Sequence, residues 1–386
     1  MSSNKNQHFV PRHYLRRFCF DRDENNEGTR TRILMIKDGT YIPKAGIKGQ
    51  CAKPYFYHTD PGFENILTEL EGKAEEYFKK ITDERWLPSD GPTKNDLLTV
   101  LNIMRSRTEM FADQTVKLPE TAALEGFRTY LEANDKHEFL ESLPDLRIRF
   151  RNWPVQGVLM GLTNVTLLSD LQIKLLSAPS GIHFLTSDHP VVMLNQAFVN
   201  VIRNRSVSGL AMRGLQLFLP LSPDLLMLAF DPICYRVGQP NRKLIQINRR
   251  EDVELINALQ VLNGNQCLYF RDEEDEPEFR NLLFKFRNRR PNPENLIEKR
   301  EIKESGKKGL YIITHAPTVP LPGIWSFCKI RRQVSSRDFV VRDPNTCRLH
   351  EESMKECREH GAFIPFAKWL RKKGYLSGES ASSKQS

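Results

Sequence analysis

Across residues 63–81 the apolar positions recur with a helical period. At about 100° per residue, Ile66, Leu67, Leu70, Ala74, Tyr77, Phe78 and Ile81 fall within one arc of roughly 120°, which predicts an amphipathic helix with one buried face. Upstream, residues 32–37 are rich in Ile, Leu and Met, and Asp38-Gly39 separates them from Thr40-Tyr41-Ile42; this predicts a β-hairpin closed by a type I′ turn. Pro92-Thr93 with Asp96 three residues later marks a helix start with Thr93 as N-cap, running through Leu97, Leu98, Leu101 and Met104 and on past Arg107. Further helices are expected over 120–133 and 137–143. After Leu171 the texture changes: residues 173–176, 182–186, 191–194, 215–219 and 225–230 are short apolar runs separated by Pro, Gly, Asn and Asp, and predict strands of a largely antiparallel sheet. Residues 252–262 then pattern as helix and 266–270 as strand. A helical first half and a mostly β second half indicate an α+β fold, with the helical N-terminal half around a largely antiparallel sheet.

Domain organisation follows from composition shifts. Residues 1–286 are expected to form the core domain. Residues 287–309 are charged and marked by Pro and Gly, and are expected to be a linker or long loop. Residues 310–375 carry enough apolar residues for a small α+β appendage, and 376–386, rich in Ser, Gly and Lys, for a disordered tail.

The chain has 386 residues and is 39% hydrophobic, long and apolar enough to bury a sizeable core. Residues 1–7 are polar, so no signal peptide is expected, and the stretch 155–176 is broken by Gln156, Asn164, Ser169, Asp170, Gln172 and Lys174, so no membrane helix is expected. Seven scattered cysteines, an odd number, fit reduced thiols and a cytoplasmic protein. The net charge of +9 gives weak support to an acidic partner, nucleic acid or a nucleotide. Arg12, Arg16 and Arg17 cluster early, Arg287 to Lys308 forms a later basic stretch, and an acidic knot, 272–278, precedes it. Oligomeric state is not written in the sequence.

The most unusual segment is Gln7-His8-Phe9-Val10-Pro11-Arg12-His13-Tyr14-Leu15-Arg16-Arg17-Phe18. Phe9, Tyr14, Leu15 and Phe18 can anchor a short helix after Pro11 and leave Gln7, His8 and Arg12 for polar work; the alternative is a terminal segment whose polar groups cap strands. Histidine suits a general base or a metal ligand, and arginine a phosphate clamp. Ser187 and Asp188 sit at a predicted strand end before Pro190, where Asp188 can orient His8 or bind a metal, or both side chains can close an Asx or ST turn. Glu71 lies about 20° beyond the apolar arc of its helix, at an edge where a carboxylate can face inward. Arg105 and Arg107, two apart, cannot share a helix face; Arg107 is the choice for an internal arginine. Cys347, His350, Cys357 and His360 are zinc-type ligands, but His350 and Cys357 are about 10 Å apart along a continuous helix, which is against one shared metal. No glycine-rich phosphate loop, dinucleotide fingerprint or Gly-x-Ser-x-Gly elbow occurs.

Gln-His-x-Val-Pro followed by Tyr-Leu-Arg-x-Phe resembles the opening of the family known as domain of unknown function 4238. Tyr55-Phe56-Tyr57, Leu70-Glu71 with Ala74, Arg105 to Thr108 (with Glu109 where proline is usual), Thr186-Ser187-Asp188-His189-Pro190, Pro220-Leu221-Ser222 and Asn257 resemble its other segments in order, over roughly residues 5–272. The resemblance implies a bacterial-type protein with no established activity; a role in defence against phage enters by analogy alone.

Two functional readings stand beside a purely structural one. In the first, a hydrolase or nuclease acts on a phosphodiester or nucleotide, with His8, Asp188, Glu71 and Ser187 as catalytic candidates and Gln7, Arg12, Arg107 and Asn257 binding substrate. In the second, the same residues form a non-catalytic sensor for a ligand or nucleic acid. Neither a cofactor nor a metal is specified. The readings require His8 to lie against the 186–190 bend.

Overall fold

The computed structural model describes residues 6–22, 28–57, 61–88, 91–150, 152–202, 206–291, 297–304, 307–314, 318–361 and 366–375. In chain order, β1 (Asn6–His8), α1 (Arg12–Leu15), β2 (Arg30–Met35), β3 (Tyr41–Gly46) and β4 (Ala52–Pro54) precede the helices α2 (Pro61–Glu84), α3 (Pro92–Ser106), α4 (Glu109–Ala133) and α5 (Trp153–Thr163). Seven strands follow: β5 (Gln172–Ser177), β6 (Thr186–Ser187), β7 (Val192–Leu194), β8 (Gln216–Ser222), β9 (Leu225–Phe230), β10 (Tyr235–Val237) and β11 (Leu244–Gln246). Then come α6 (Arg250–Asn263), β12 (Cys267–Phe270), α7 (Glu276–Phe286), β13 (Ile297–Glu304), β14 (Lys307–Thr314), β15 (Cys328–Ile330), α8 (Pro344–His360) and α9 (Phe366–Lys372).

The fold is α+β. A five-stranded sheet of order β11-β5-β9-β8-β7 is antiparallel except where β11 joins β5, and a four-stranded antiparallel sheet runs β3-β2-β12-β6. Because β8 and β9 are apolar at nearly every position, both faces must be covered. Alternation splits them: Leu217, Leu219, Met227 and Ala229 join a core with Phe9, Tyr14, Phe18, α2 and α3, whereas Phe218, Leu226, Leu228 and Phe230 join a second core with α6 and α7. The opening segment is therefore a core component, its buried rings each contributing about 1.5–3 kcal/mol by removal from water. Among the described residues, no helix is long and apolar enough to cross a membrane.

Four expectations are corrected. The β2–β3 hairpin forms, but in another register: a two-residue turn at Asp38-Gly39 would set Met35 opposite Ile42, whereas Ile33 stands there because the loop spans four residues. Met35 N–H donates to Thr40 O, Gly39 N–H donates to Met35 O, and of the loop residues only Gly39 has positive φ. A type I′ turn needs two such residues in succession; Asp38 instead accepts from Thr40 N–H. Second, α3 stops at Ser106, because Thr108 turns extended and its hydroxyl caps α4 by accepting from Phe111 N–H. Third, part of the expected linker 287–309 is strand: β13 pairs antiparallel with β14 from Ile297–Thr314 to Glu304–Lys307. Its alternating charges mask a backbone ladder that needs no apolar run. Fourth, residues 319–342 are woven into the main body. Val319, Trp325, Phe327 and Cys328 are buried in the second core, β15 pairs with β10, and the Arg342 guanidinium donates to Asp170 at 2.6 Å and to Met212 O at 2.8 Å. The expected disordered tail, 376–386, lies outside the described residues.

Candidate functional site

A short antiparallel ladder with β4 fixes the polar opening, with Gln7 opposite Lys53 and His8 opposite Ala52. Gln7 bridges two elements: its Oε1 accepts from Tyr57 N–H at 2.6 Å and its Nε2 donates to Glu64 Oε1 at 2.7 Å. Glu64 and Glu71 are seven residues apart on α2, a separation that returns a helix to nearly the same azimuth. Both carboxylates therefore face the same way, together with Leu67 and Thr68. Arg107 comes from the end of α3. Its Nη2 donates to Glu71 Oε1 at 2.6 Å and to His8 O at 2.7 Å, and its Nε to the Tyr57 hydroxyl at 3.3 Å, while Tyr57 donates to Arg107 O at 2.8 Å. These residues enclose a pocket of about 140 Å³.

Arg107 is 3% exposed. Burial alone would lower its pKa; Tyr57 and Glu71 more than offset this, so the guanidinium stays charged and raised above its ordinary value. His8 is lowered, first by burial, then by the Arg12 charge; its hydrogen bond to Gln50 O and the Glu71 carboxylate oppose this only in part. A carbonyl can only accept, so His8 Nδ1 carries the proton in its 3.1 Å bond to Gln50 O, and Nε2 holds the lone pair. Neither Nε2 nor the exposed Arg12 guanidinium has a hydrogen-bond partner among the described residues.

Four of the eight sequence candidates, Gln7, His8, Glu71 and Arg107, converge on this pocket, and Arg12 stands close enough to act on His8 electrostatically. Ser187, Asp188 and Asn257 belong elsewhere. Asp188 does not orient His8: its two oxygens accept from Asn265 N–H at 2.7 Å and Gln266 N–H at 2.8 Å. Its carboxyl is raised to about 6 by burial, which those backbone bonds only partly counter. Ser187 Oγ donates to Gln260 Oε1 at 2.8 Å, so it is no nucleophile poised on a base. Asn257 binds backbone: Oδ1 accepts from Leu185 N–H at 3.0 Å and Nδ2 donates to His183 O at 2.9 Å. Gln260 Nε2 donates to Pro190 O and Asn263 Nδ2 to His189 O, so amides at 257, 260 and 263 of α6 staple the whole bend. They also shorten the expected strand 182–186 to Thr186–Ser187, since side chains replace ladder partners.

The opening segment does reach the bend, through Tyr14: its hydroxyl lies 2.6 Å from Thr186 Oγ1 and donates to Pro220 O at 2.7 Å. A second link runs through adjacent residues, as Arg107 faces the pocket and Thr108 Oγ1 meets His189 Nδ1 at 2.6 Å. Sequence reasoning missed Glu64, which shares the stripe of Glu71, and the role of Tyr57.

Among the described residues, one group has metal-type ligands in mutual reach: His183, Asp272 and Asp275. His183 Nδ1 lies 2.8 Å from Asp275 Oδ2 and 3.3 Å from Asp272 Oδ2, and Arg271 also pairs with Asp272 at 2.8 Å. The Asp275 hydrogen bond raises the His183 pKa. His183 and Arg271 thus already bond the two carboxylates. Cys347, His350, Cys357 and His360 lie along the continuous helix α8, where His350 Nδ1 meets Thr166 Oγ1 at 2.9 Å.

No curated protein and no solved structure matches the chain. The family model described as protein of unknown function (DUF4238) matches residues 6–274, from β1 and its pocket residues through the stapled bend and α6 to just beyond β12, and the chain belongs to that family.

Proposed function

We propose that the His8 pocket is the working site of a hydrolase acting on a phosphodiester or nucleotide in the cytoplasm. One observation carries this reading: an imidazole held below its ordinary pKa, with Nδ1 committed to a carbonyl, stands beside an exposed guanidinium that has no partner among the described residues. A neutral imidazole can take a proton from water as it attacks phosphorus, and the guanidinium can hold the phosphoryl charge. In this scheme water forms the new P–O bond, its proton passes to His8 Nε2, and the alkoxide leaves and is protonated by solvent.

Charge decides the orientation. Within the pocket Glu64 and Glu71 outweigh Arg107 by one negative charge, and Arg12 restores balance. The phosphate therefore belongs on the Arg12 side, and the carboxylate side suits hydroxyl donors of the sugar. A volume of about 140 Å³ admits the reacting group and leaves the rest of the substrate outside. Gln7, Glu71 and Arg107 act as positioning residues.

A second reading, a sensor that binds without turnover, is favoured by a specific feature: among the described residues no carboxylate bonds His8, so its base strength is not reinforced. Phosphate and nucleotide release from oligonucleotide and nucleotide panels separates the two. We expect His8→Gln to lower kcat by about 100-fold or more, and Arg12→Ala to raise KM with a smaller change in kcat. Equal release by wild type and His8→Gln, at background, contradicts the enzyme; binding lost in Arg12→Ala without any turnover supports the sensor.

A further inference from the structure

A second pocket, of about 440 Å³, opens beside β15 on the segment joined to the second core. Its walls include Leu321, Ile324 and Ile330, and Ile324 is 80% exposed, unusual for an apolar side chain of that size. Two further wall residues are deeply buried with polar atoms that have no partner among the described residues: Gln196 Oε1 and Trp325 Nε1. One is an acceptor and the other a donor, and both are shut off from solvent behind the pocket wall.

The strand supplies the rest. β15 belongs to a two-stranded ladder with β10. Gly238 N–H donates to Phe327 O and Arg331 N–H to Cys234 O, with Lys329 opposite Arg236 between them. Antiparallel alternation therefore turns the backbone groups of Cys328 and Ile330 away from β10. No bond to those groups occurs among the described residues, and both residues line the pocket. An open strand edge is a template for an added strand. Charge selects its composition: Lys329 lines the pocket, and among the described residues no carboxylate does.

We propose that the outer edge of β15 and the adjoining pocket form a docking groove for an extended segment of another protein, with an apolar side chain beside an acidic one. The added strand pairs with the outward backbone groups of Ile330, seats its apolar side chain against Leu321, Ile324 and Ile330, and sets its carboxylate against Lys329. This groove is separate from the His8 pocket and does not depend on what that pocket binds.

Fluorescence anisotropy on the full chain tests it, with labelled peptides of alternating valine and aspartate, of alternating valine and lysine, and of valine and aspartate with alternate amides N-methylated. We expect micromolar binding of the first, binding of the second weaker by about tenfold, and none of the third. Ile330→Pro removes an outward N–H that β10 does not use, so it should abolish binding with the thermal midpoint little changed. Lys329→Glu should reverse the charge preference, which keeps the test decisive if the proline variant unfolds. Absence of binding by every peptide, unaltered binding in a folded Ile330→Pro, or an unchanged charge preference in Lys329→Glu would overturn the proposal. So would self-association in sedimentation that Ile330→Pro dissolves, since the occupant would then be a second copy.

Discussion

The His8 pocket and the 186–190 bend are built from similar materials, histidine, carboxylate and amide, and use them in opposite ways. In the bend, side chains end on backbone: Asp188 on two amides, Asn257 on an amide and a carbonyl, Gln260 and Asn263 on carbonyls. In the pocket backbone bonds from Gln7, His8, Tyr57 and Arg107 stand beside side-chain pairs, Gln7 with Glu64 and Arg107 with Glu71, and His8 Nε2 and Arg12 are left without a partner among the described residues. A polar group that satisfies buried backbone is spent on folding. One that keeps a lone pair or a donor to spare, as His8 Nε2 and Arg12 do, can meet a ligand. Residue type alone does not separate the two; the atom left over does.

The comparison breaks most sharply at Arg107. Arg107→Met leaves Glu71, His8 O and Tyr57 without their donor, and should destabilise by about 3–4 kcal/mol, reduced from a fully buried pair because Glu71 reaches solvent. Urea unfolding measures it, and the loss should extend to the bend through Thr108. Next comes pH. Asp188, at about 6 against an ordinary 3.8, favours its neutral form in the fold. The folded state thus binds more protons between those values, so stability falls as pH rises through the window and is level above it. Relative to Asp188→Asn, the wild type should lose up to about 3 kcal/mol between pH 4 and 7, read from unfolding at several pH values. Asn257→Ala should cost about 2 kcal/mol by stranding Leu185 N–H and His183 O, with the His8 titration unmoved. His8→Gln should change stability least, by under about 0.5 kcal/mol, while turnover falls. Because the His8 pKa is lowered, wild-type activity should drop only as pH falls below 6.5 and stay level above it.

Much of this architecture is legible in local pattern. Of the predicted stripe Leu67, Ala74, Phe78 and Ile81 are buried as its period requires, Leu70 and Tyr77 are half-buried and Ile66 is exposed; the apolar runs of β8 and β9 form the central strands. Arg107 is internal, and the opening segment is anchored by Phe9, Tyr14, Leu15 and Phe18. The sequence reading joins pocket and bend into one site; in the fold the contact across 172 residues is made by Tyr14, not by His8. A signal for the bend does exist: Asn257, Gln260 and Asn263 recur every three residues in the otherwise apolar stretch 255–263 of α6, a polar stripe that must serve something buried. The same rule, a spacing of seven from Glu71, points to Glu64. The woven segment 319–342 carried no such cue, since Trp325 and Phe327 read equally well as the core of a separate unit.

The most direct measurement is a histidine NMR titration of the full chain, with His8 assigned through His8→Gln, in the absence and presence of inorganic phosphate. The account predicts a His8 pKa below 6.5 that rises when phosphate binds, with that response lost in Arg12→Ala and kept in Asp188→Asn. A pKa at or above 6.5 with no response to phosphate, or a response that vanishes in Asp188→Asn and survives in Arg12→Ala, would contradict it.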